Sequence, residues 1–265
     1  MSLLTIENVT AGYGPKNIIE NLSLSVEEGE LVGILGTNGC GKTTLLKAIC
    51  NILPHSGECR IDEEALERLA PKQLARRLSY IPQQSGIGID ISALDVVLMG
   101  FYSRLGLLQY PDDDMRRQAR NTLEQLGLGA LAEHNYMKLS EGQKQVCILA
   151  RAMVSESRVL LMDEPESALD FGIRYRVFFN LKSWLADSNR GALVTLHDIN
   201  LALNLCDRLL LFYKKSEIVE IRPKQDDIRS VEEKMSKVLG PVSIHECLNR
   251  VGERQLMMIS EPEGL

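Results

Sequence analysis

The sequence predicts an α/β fold built on a parallel sheet, and two features of the chain indicate it. Short apolar segments typical of buried strands, at Leu31–Leu35, Val159–Met162 and Ala192–Leu196, are separated by stretches with helical periodicity. Strands that alternate with helices are typical of parallel sheets, because a parallel connection needs a crossover. The length of 265 residues, with 45% apolar and 25% charged side chains, fits one large domain or two closely joined ones.

The first fifty residues predict strands followed by a loop and a helix. Leu3–Val9 and Leu22–Val26 alternate apolar and polar residues, as half-buried strands do. The buried strand Leu31–Leu35 ends in glycine, and Thr44–Leu53 then carries apolar residues at helical spacing. A glycine-rich loop therefore joins a buried strand to a helix.

The middle of the chain predicts an inserted helical subdomain, about 88–157. Ile89–Met153 is mostly helical in pattern and interrupts the alternation of strands and helices, with Ser92 and Asp112 as N-caps. After about Pro223 we expect a short α/β tail, 223–265, behind a core domain that spans 1–222. The tail elements are a helix at Ser230–Leu239 and strands at Val242–His245 and Gln255–Ile259.

Composition excludes several classes of protein. The formal net charge of −6 argues against nucleic acid as the main partner, since no excess of Lys or Arg is available to neutralise phosphates. No apolar run reaches the roughly 18 residues of a membrane span, and no signal peptide is visible, so we expect a cytoplasmic chain. The six cysteines form no CxxC pair and have no histidine at ligand spacing, so we expect buried, reduced thiols without metal.

Residues 36–43 match the phosphate-loop pattern GxxxxGK[ST]. Glycines let the backbone N–H groups surround an anion, and the helix N-terminus adds partial positive charge. Lys42 is predicted to reach the β- and γ-phosphates of ATP, and the Thr43 hydroxyl to ligate Mg²⁺. The alternatives are an accidental glycine-rich turn and, for Cys40, a redox role instead of a small filler. The candidate nucleotide-binding residues here are Gly36, Thr37, Asn38, Gly39, Cys40, Gly41, Lys42, Thr43 and Thr44.

Two acids end the apolar strand that begins at Val159. Asp163 is suited to hold Mg²⁺, directly or through water. Glu164 points elsewhere, and it is the candidate general base for the attacking water. The alternative is a pair of solvated acids at the end of a strand. It is less favoured because the same chain contains a phosphate loop.

The segment Leu139–Gln143 has capping-box spacing, with Ser140 and Gln143 three apart, which by itself indicates only a well-capped helix. However, Leu-Ser-x-Gly-Gln, 23 residues before Asp163, resembles the signature motif of ATP-binding cassette (ABC) ATPases. The other motifs of that family are present in the expected order along the chain. Tyr13 resembles the aromatic that stacks on adenine, Gln83 the Q-loop glutamine, Ser167–Asp170 the D-loop and His197 the switch histidine.

The resemblance implies a P-loop NTPase (RecA-like) core with an N-terminal antiparallel β subdomain and an inserted helical subdomain. It also implies a homodimer with two ATP molecules between the subunits, in which Ser140, Gly142, Gln143 and Asp170 act on the partner's nucleotide. Gln83 would contact the Mg²⁺ or the water, and His197 would hold the γ-phosphate, beside Glu164 and Lys42 as catalytic residues.

Three positions depart from the family pattern. Glu141 stands where glycine is usual, and it would repel phosphate unless its carboxylate points outward. Glu166 stands where Thr or Ser is usual, and the turn Tyr213–Ser216 lacks the usual Asp-Gly.

The segments Leu74–Gln83, Asp95–Gly100 and His197–Ala202 resemble the ATPases of iron-siderophore, haem and cobalamin importers. That likeness implies membrane permease subunits as partners, docked near Gln83–Leu108, and indirectly a solute-binding protein. The chain would then lie on the cytoplasmic face of the cell membrane. Leu105–Leu108 would either face the permease or be buried. The alternatives are a soluble ABC ATPase of assembly or repair, and a scaffold that binds ATP without turnover.

Overall fold

The computed structural model describes residues 2–84, 86–106, 108–186, 189–213 and 217–261. Within these ranges the strands are β1 (Ser2–Tyr13), β2 (Lys16–Glu27), β3 (Leu31–Gly36), β4 (His55–Ile61), β5 (Glu64–Ala65), β6 (Leu78–Ile81), β7 (Val159–Asp163), β8 (Gly191–Thr195), β9 (Arg208–Tyr213), β10 (Glu217–Ile221), β11 (Val242–Leu248) and β12 (Arg254–Ser260). The helices are α1 (Lys42–Ile49), α2 (Pro71–Arg77), α3 (Ala93–Leu98), α4 (Asp113–Gln125), α5 (Glu141–Val154), α6 (Phe171–Ala186), α7 (Ile199–Leu205) and α8 (Ile228–Leu239).

A six-stranded sheet in the order β10-β9-β3-β8-β7-β6 forms the middle layer. All its neighbours are parallel except β10, which pairs antiparallel with β9. Successive residues of β3 enter different hydrophobic clusters: Leu31 and Leu35 join one, Val32 and Ile34 the other. Both faces of the sheet are therefore covered, which explains the uninterrupted apolar character of the strands that the sequence predicted.

A second, antiparallel sheet in the order β2-β1-β4-β5 is built from the N-terminal part of the chain. Helix α1 packs between the two sheets, where Leu45, Leu46 and Ile49 are completely buried. The predicted fold class, an α/β core with an antiparallel N-terminal sheet and a helical insertion, is confirmed.

The chain between β6 and β7 is helical. Ser92 Oγ accepts the N–H of Asp95 at 3.0 Å, and Asp112 Oδ1 accepts the N–H of Met115 at 2.8 Å, so both predicted N-caps are confirmed. Phe101 and Tyr136 are fully buried among α3, α4 and α5.

The C-terminal residues form α8 and the β11–β12 hairpin, as predicted. Asn204 joins the hairpin to α7, since its side chain accepts from Leu256 N–H and donates to Leu256 O, both at 2.9 Å. Asn200 accepts the N–H of Met258 at 2.8 Å. The tail is thus hydrogen-bonded to the helix that follows His197.

Two expectations are corrected. The first helix ends at Ile49 and not at Leu53, because Asn51 adopts a left-handed φ of 54° that stops the helix. The expectation that no histidine lies near a cysteine is wrong, because His55 Nε2 is 3.9 Å from Cys59 Sγ. The turn at Lys214–Ser216 and residue Leu107 lie outside the described residues.

No helix in the part of the chain that the structure describes combines the length and apolar character needed to cross a bilayer.

Candidate functional site

The central sheet brings most of the predicted site residues to one edge. Strands β3, β8, β7 and β6 are parallel neighbours, so their carboxyl ends lie side by side. The phosphate loop follows β3, His197 follows β8, and Gln83 follows β6. Ligands of open α/β sheets bind outside such carboxyl ends, so this edge is the candidate site.

The phosphate loop lies between β3 and α1. Lys42 is only 6% exposed, and its Nζ donates to the carbonyl of Gly36 at 2.9 Å, which closes the loop on itself. Gly41 has a φ of 108°, and a Cβ there would lie 2.8 Å from Ile19, so only glycine fits where the loop enters the helix. Cys40 packs against Gly36, where an added Cβ would lie 2.8 Å from its Sγ, which supports a filling role. The loop residues Thr37, Asn38 and Gly39 are exposed.

The carboxylate of Asp163 is hydrogen-bonded to the phosphate loop. It is 3% exposed, and its Oδ1 accepts the Thr43 hydroxyl at 3.1 Å. The same oxygen accepts the Thr195 hydroxyl at 2.8 Å. A hydroxyl and a carboxylate side by side are the hard oxygen ligands that Mg²⁺ prefers, so the residues present fit this ion.

Glu164 is held apart from Asp163 by its backbone. Its φ of 49° is left-handed, and its N–H donates to the Thr195 hydroxyl at 2.9 Å. Gln83 Nε2 donates to Glu164 Oε2 at 2.7 Å, and His197 Nε2 lies 2.5 Å from Glu164 Oε1. The structure therefore brings together three predicted catalytic residues, Gln83, Glu164 and His197.

Thr195 was not predicted as a site residue. Its completely buried hydroxyl donates to Asp163 while it accepts from the N–H of Glu164. No motif marks this threonine; only its position opposite Asp163 in the β7–β8 register places it there.

Glu166, a departure from the family pattern, is 2% exposed. Its Oε1 accepts the backbone N–H of His197 at 2.7 Å, while its Oε2 has no hydrogen-bond partner among the described residues. Burial raises the pKa of this carboxyl, against the opposing effect of the backbone N–H groups. Glu166 therefore fixes the backbone that presents His197.

The residues predicted to act on a partner's nucleotide form a second group. Ser140 and Asp170 are exposed. Ser140 and Gln143 form the predicted capping box, with Ser140 N–H donating to Gln143 Oε1 at 2.9 Å. Gly142 packs on the D-loop, since a Cβ there would lie 2.8 Å from Ala168 O. No hydrogen bond within the described ranges joins this group to the phosphate loop.

Two further residues bear on the site. The Glu141 side chain is 79% exposed and pairs with Lys144 Nζ at 2.8 Å, so its carboxylate points outward. Tyr13 is 53% exposed at the end of β1. Its hairpin reaches the phosphate loop through Ile19, which packs on Gly41.

The fold and this edge define a phosphate-loop nucleotide hydrolase of the cassette class. A family model described as ABC transporter matches residues 19–167, more than half of the chain, and the chain therefore belongs to this family and is an ATPase.

Relatives that are named for a transport function are consistent with this family. The manganese transport system ATP-binding protein MntB of Bacillus subtilis is 36% identical over 211 residues, which cover 78% of this chain and 82% of the relative. The hemin import ATP-binding protein HmuV of Bordetella pertussis is 36% identical over 220 residues, with the same coverage. A solved structure of a metal-chelate type ABC transporter in an inward-facing conformation aligns with a TM-score of 0.81 and 25% identity, over 99% of both chains.

Proposed function

We propose that the edge formed by β3, β8, β7 and β6 hydrolyses ATP with the predicted residues in their predicted roles. Lys42 and the loop N–H groups bind the phosphates, and Thr43, Asp163 and Gln83 hold Mg²⁺, which neutralises phosphate charge when bound. Glu164 accepts the proton of a water whose oxygen attacks the γ-phosphorus, and ADP leaves. His197 contacts the γ-phosphate. The observation that supports this most directly is the convergence of Gln83 and His197 on Glu164.

Glu164→Gln tests this assignment. The amide preserves the size of the side chain but cannot accept a proton, so ATP binding should persist while hydrolysis falls by about 10²-fold or more. Phosphate release measures hydrolysis, and equilibrium binding of a fluorescent ATP analogue measures ATP binding. Glu246→Gln, on the distant β11, is the matched control and should hydrolyse normally. Normal turnover in Glu164→Gln would remove the assigned base.

We further propose that two copies of the chain close on two ATP molecules. Ser140 and Asp170 are exposed, and Gly142 and Gln143 are partly exposed. Ser140 and Gln143 are hydrogen-bonded to each other, and among the described residues no hydrogen bond joins these four to their own phosphate loop. The N-terminus of α5, a 14-residue helix, is an anion site that a partner's γ-phosphate can reach. Each subunit would thus complete the other's site.

We also propose that this ATPase is the energising subunit of an importer for metal ions or metal chelates. The support is the likeness to proteins named for manganese transport and hemin import, and to a transporter of the metal-chelate type. The iron-siderophore, haem or cobalamin class is the finer proposal, because the segments that resemble it include Gln83 and His197. The chain would act at the cytoplasmic face of the membrane, with permease subunits and, indirectly, a solute-binding protein.

The permease would dock near residues 83–108. Ile89, Tyr102 and Leu108 are large apolar or aromatic side chains that are 56%, 55% and 86% exposed. Leu105, in contrast, is 9% exposed, so the two described leucines of the segment 105–108 have different environments.

Co-purification tests the importer proposal. When the chain is expressed together with candidate importer permeases, Tyr102→Glu should reduce recovery of a retained permease while ATP affinity stays unchanged. Tyr110→Glu, an equally polar change just beyond the proposed surface, is the control and should retain the permease. An ATPase that never retains a permease would instead support the soluble alternative.

A further inference from the structure

Three metal-binding side chains meet far from the nucleotide edge, in the antiparallel sheet. His55 begins β4, Cys59 lies in the same strand, and Glu67 lies just after β5. One ligand atom from each lies within 4.8 Å of the other two. His55 Nε2 is 3.0 Å from Glu67 Oε1 and 3.9 Å from Cys59 Sγ.

The β1–β4 ladder is irregular beside this cluster. Between the pairs Glu7–Glu58 and Thr10–Ser56 the chain advances three residues along β1 and two along β4, so the extra residue of the bulge belongs to β1. On β4 the irregularity falls at Gly57, midway between His55 and Cys59, whose φ of 88° departs from extended strand geometry. An added Cβ at Gly57 would lie 2.5 Å from Asn8 O, so this backbone conformation requires glycine.

The remaining contacts hold the ligand atoms in place. The N–H of Cys59 donates to Glu67 Oε1 at 2.8 Å, which fixes the carboxylate beside the thiol. His55 Nδ1 lies 3.4 Å from Leu53 O, so it can donate its proton there while Nε2 faces an ion. A backbone carbonyl on the other ring nitrogen is the usual support of a metal-bound histidine.

The spacing and chemistry fit a tetrahedral ion. Zinc bonds to N, O and S of about 2.0–2.3 Å place tetrahedral ligand atoms about 3.3–3.7 Å apart. The distances from His55 Nε2 to Glu67 Oε1, 3.0 Å, and to Cys59 Sγ, 3.9 Å, lie on either side of that range. A thiolate, an imidazole and a carboxylate together favour a borderline-soft divalent cation over Mg²⁺.

The site is enclosed on one side and open on the other. Cys59 is completely buried and the His55 side chain is 4% exposed, whereas Glu67 is 33% exposed. An ion would enter past Glu67, with water as its fourth ligand. Burial first, and then the carboxylates of Glu67 and Glu58, raise the pKa of the Cys59 thiol to about 12. A bound cation would reverse that effect, since it favours the thiolate.

We propose that His55, Cys59 and Glu67 bind one divalent cation of the Zn²⁺ type. The site adjoins the C-terminal end of α1, since Asn51 Nδ2 donates to Leu66 O at 2.9 Å. The phosphate loop lies at the other end of this helix, about 12 Å away. The two sites share no ligand, and the proposal does not depend on the transport function.

Cobalt provides the test on the full chain, stripped of metal and kept free of nucleotide. Co²⁺ should bind one per chain with a sulfur-to-cobalt charge-transfer band, and Zn²⁺ should displace it. Cys59→Ser should lose that band. His55→Gln and Glu67→Gln should weaken Co²⁺ binding at least tenfold, since losing even a supporting contact weakens metal sites by about 10–100-fold. Cys247→Ser, an exposed cysteine of β11, should leave the band unchanged.

Glu67→Gln keeps the proposal testable if Cys59→Ser does not fold, because Glu67 is partly exposed and circular dichroism can verify its fold. A charge-transfer band that survives in Cys59→Ser would overturn the proposal. So would unchanged Co²⁺ affinity in folded Glu67→Gln, or the lack of saturable binding to the unaltered chain.

Discussion

At the scale of single residues, the buried carboxyl of Glu166 supports the backbone of His197, the residue that contacts Glu164. Burial of this acid disfavours its charged form. Its Oε1 nevertheless accepts the hydrogen bond of the His197 backbone N–H, which needs an acceptor oxygen. Glu166→Ala should therefore leave that N–H unpaired, which costs about 1–3 kcal/mol in the free energy of unfolding. Turnover should also fall, because His197 loses its support. Urea unfolding measures the free energy of unfolding, and phosphate release measures turnover.

Glu166→Gln separates the charge from the hydrogen bond. Burial raises the folded-state pKa of Glu166 above its ordinary value of 4.5, so the unfolded chain loses this proton first as pH rises. Stability of the unaltered chain should then decline as pH rises above about 4.5, and glutamine removes this contribution. The unfolding free energy of Glu166→Gln relative to the unaltered chain should rise towards neutral pH. Parallel pH profiles would contradict this.

Local sequence predicts some site residues and not others. Lys42, Thr43 and Asp163 follow from motifs, because the phosphate loop and the acid at a strand end are local features. Thr195 could not be found in that way, because its hydrogen bonds to Asp163 and Glu164 depend on the register of two strands distant in sequence. The approach of His55 to Cys59 was missed because it depends on the left-handed backbone at Gly57 and on the pairing of β4 with β1, which the local sequence does not indicate.

At the scale of elements, asparagine side chains attach the β11–β12 hairpin to α7. They form hydrogen bonds with the backbone of β12 that a neighbouring strand would otherwise supply. Asn204 both donates to and accepts from the backbone of Leu256. Asn204→Ala leaves both groups without that partner, so amide exchange in β12 should accelerate markedly. Asn180→Ala, which removes a comparable side-chain bond to the backbone of Gln125, should leave exchange in β12 unchanged. Exchange mass spectrometry distinguishes the two, and equal rates in β12 would show that Asn204 does not fix the hairpin.

Elements with strong local signals were predictable. The helices capped by Ser92, Asp112 and Ser140 were recognised because a capping side chain marks a helix start in the sequence. Strand β4 was not, because His-Ser-Gly-Glu-Cys-Arg-Ile has few apolar residues and an internal glycine with a left-handed φ. Its place between β1 and β5 supplies the pairing that its own sequence does not indicate.

At the scale of the whole molecule, the strand order β9-β3-β8-β7-β6 decides which loops become neighbours. Alternation of strands and helices predicts a parallel sheet but not this order, which sets residues 36–43 beside 163–164 and 197. The family resemblance, and not periodicity, therefore predicted the assembled site. The group of Ser140, Gly142, Gln143 and Asp170 lies apart from that edge, and we propose that a second copy of the chain brings this group to it.

The most direct measurement is the structure of Glu164→Gln with ATP and Mg²⁺ bound. We expect a two-fold dimer in which the Ser140 hydroxyl lies within hydrogen-bond distance, about 2.5–3.0 Å, of a γ-phosphate oxygen held by the other subunit's phosphate loop. An ATP-bound protein that stays monomeric, or a dimer in which Ser140 lies far from every γ-phosphate, would contradict the account.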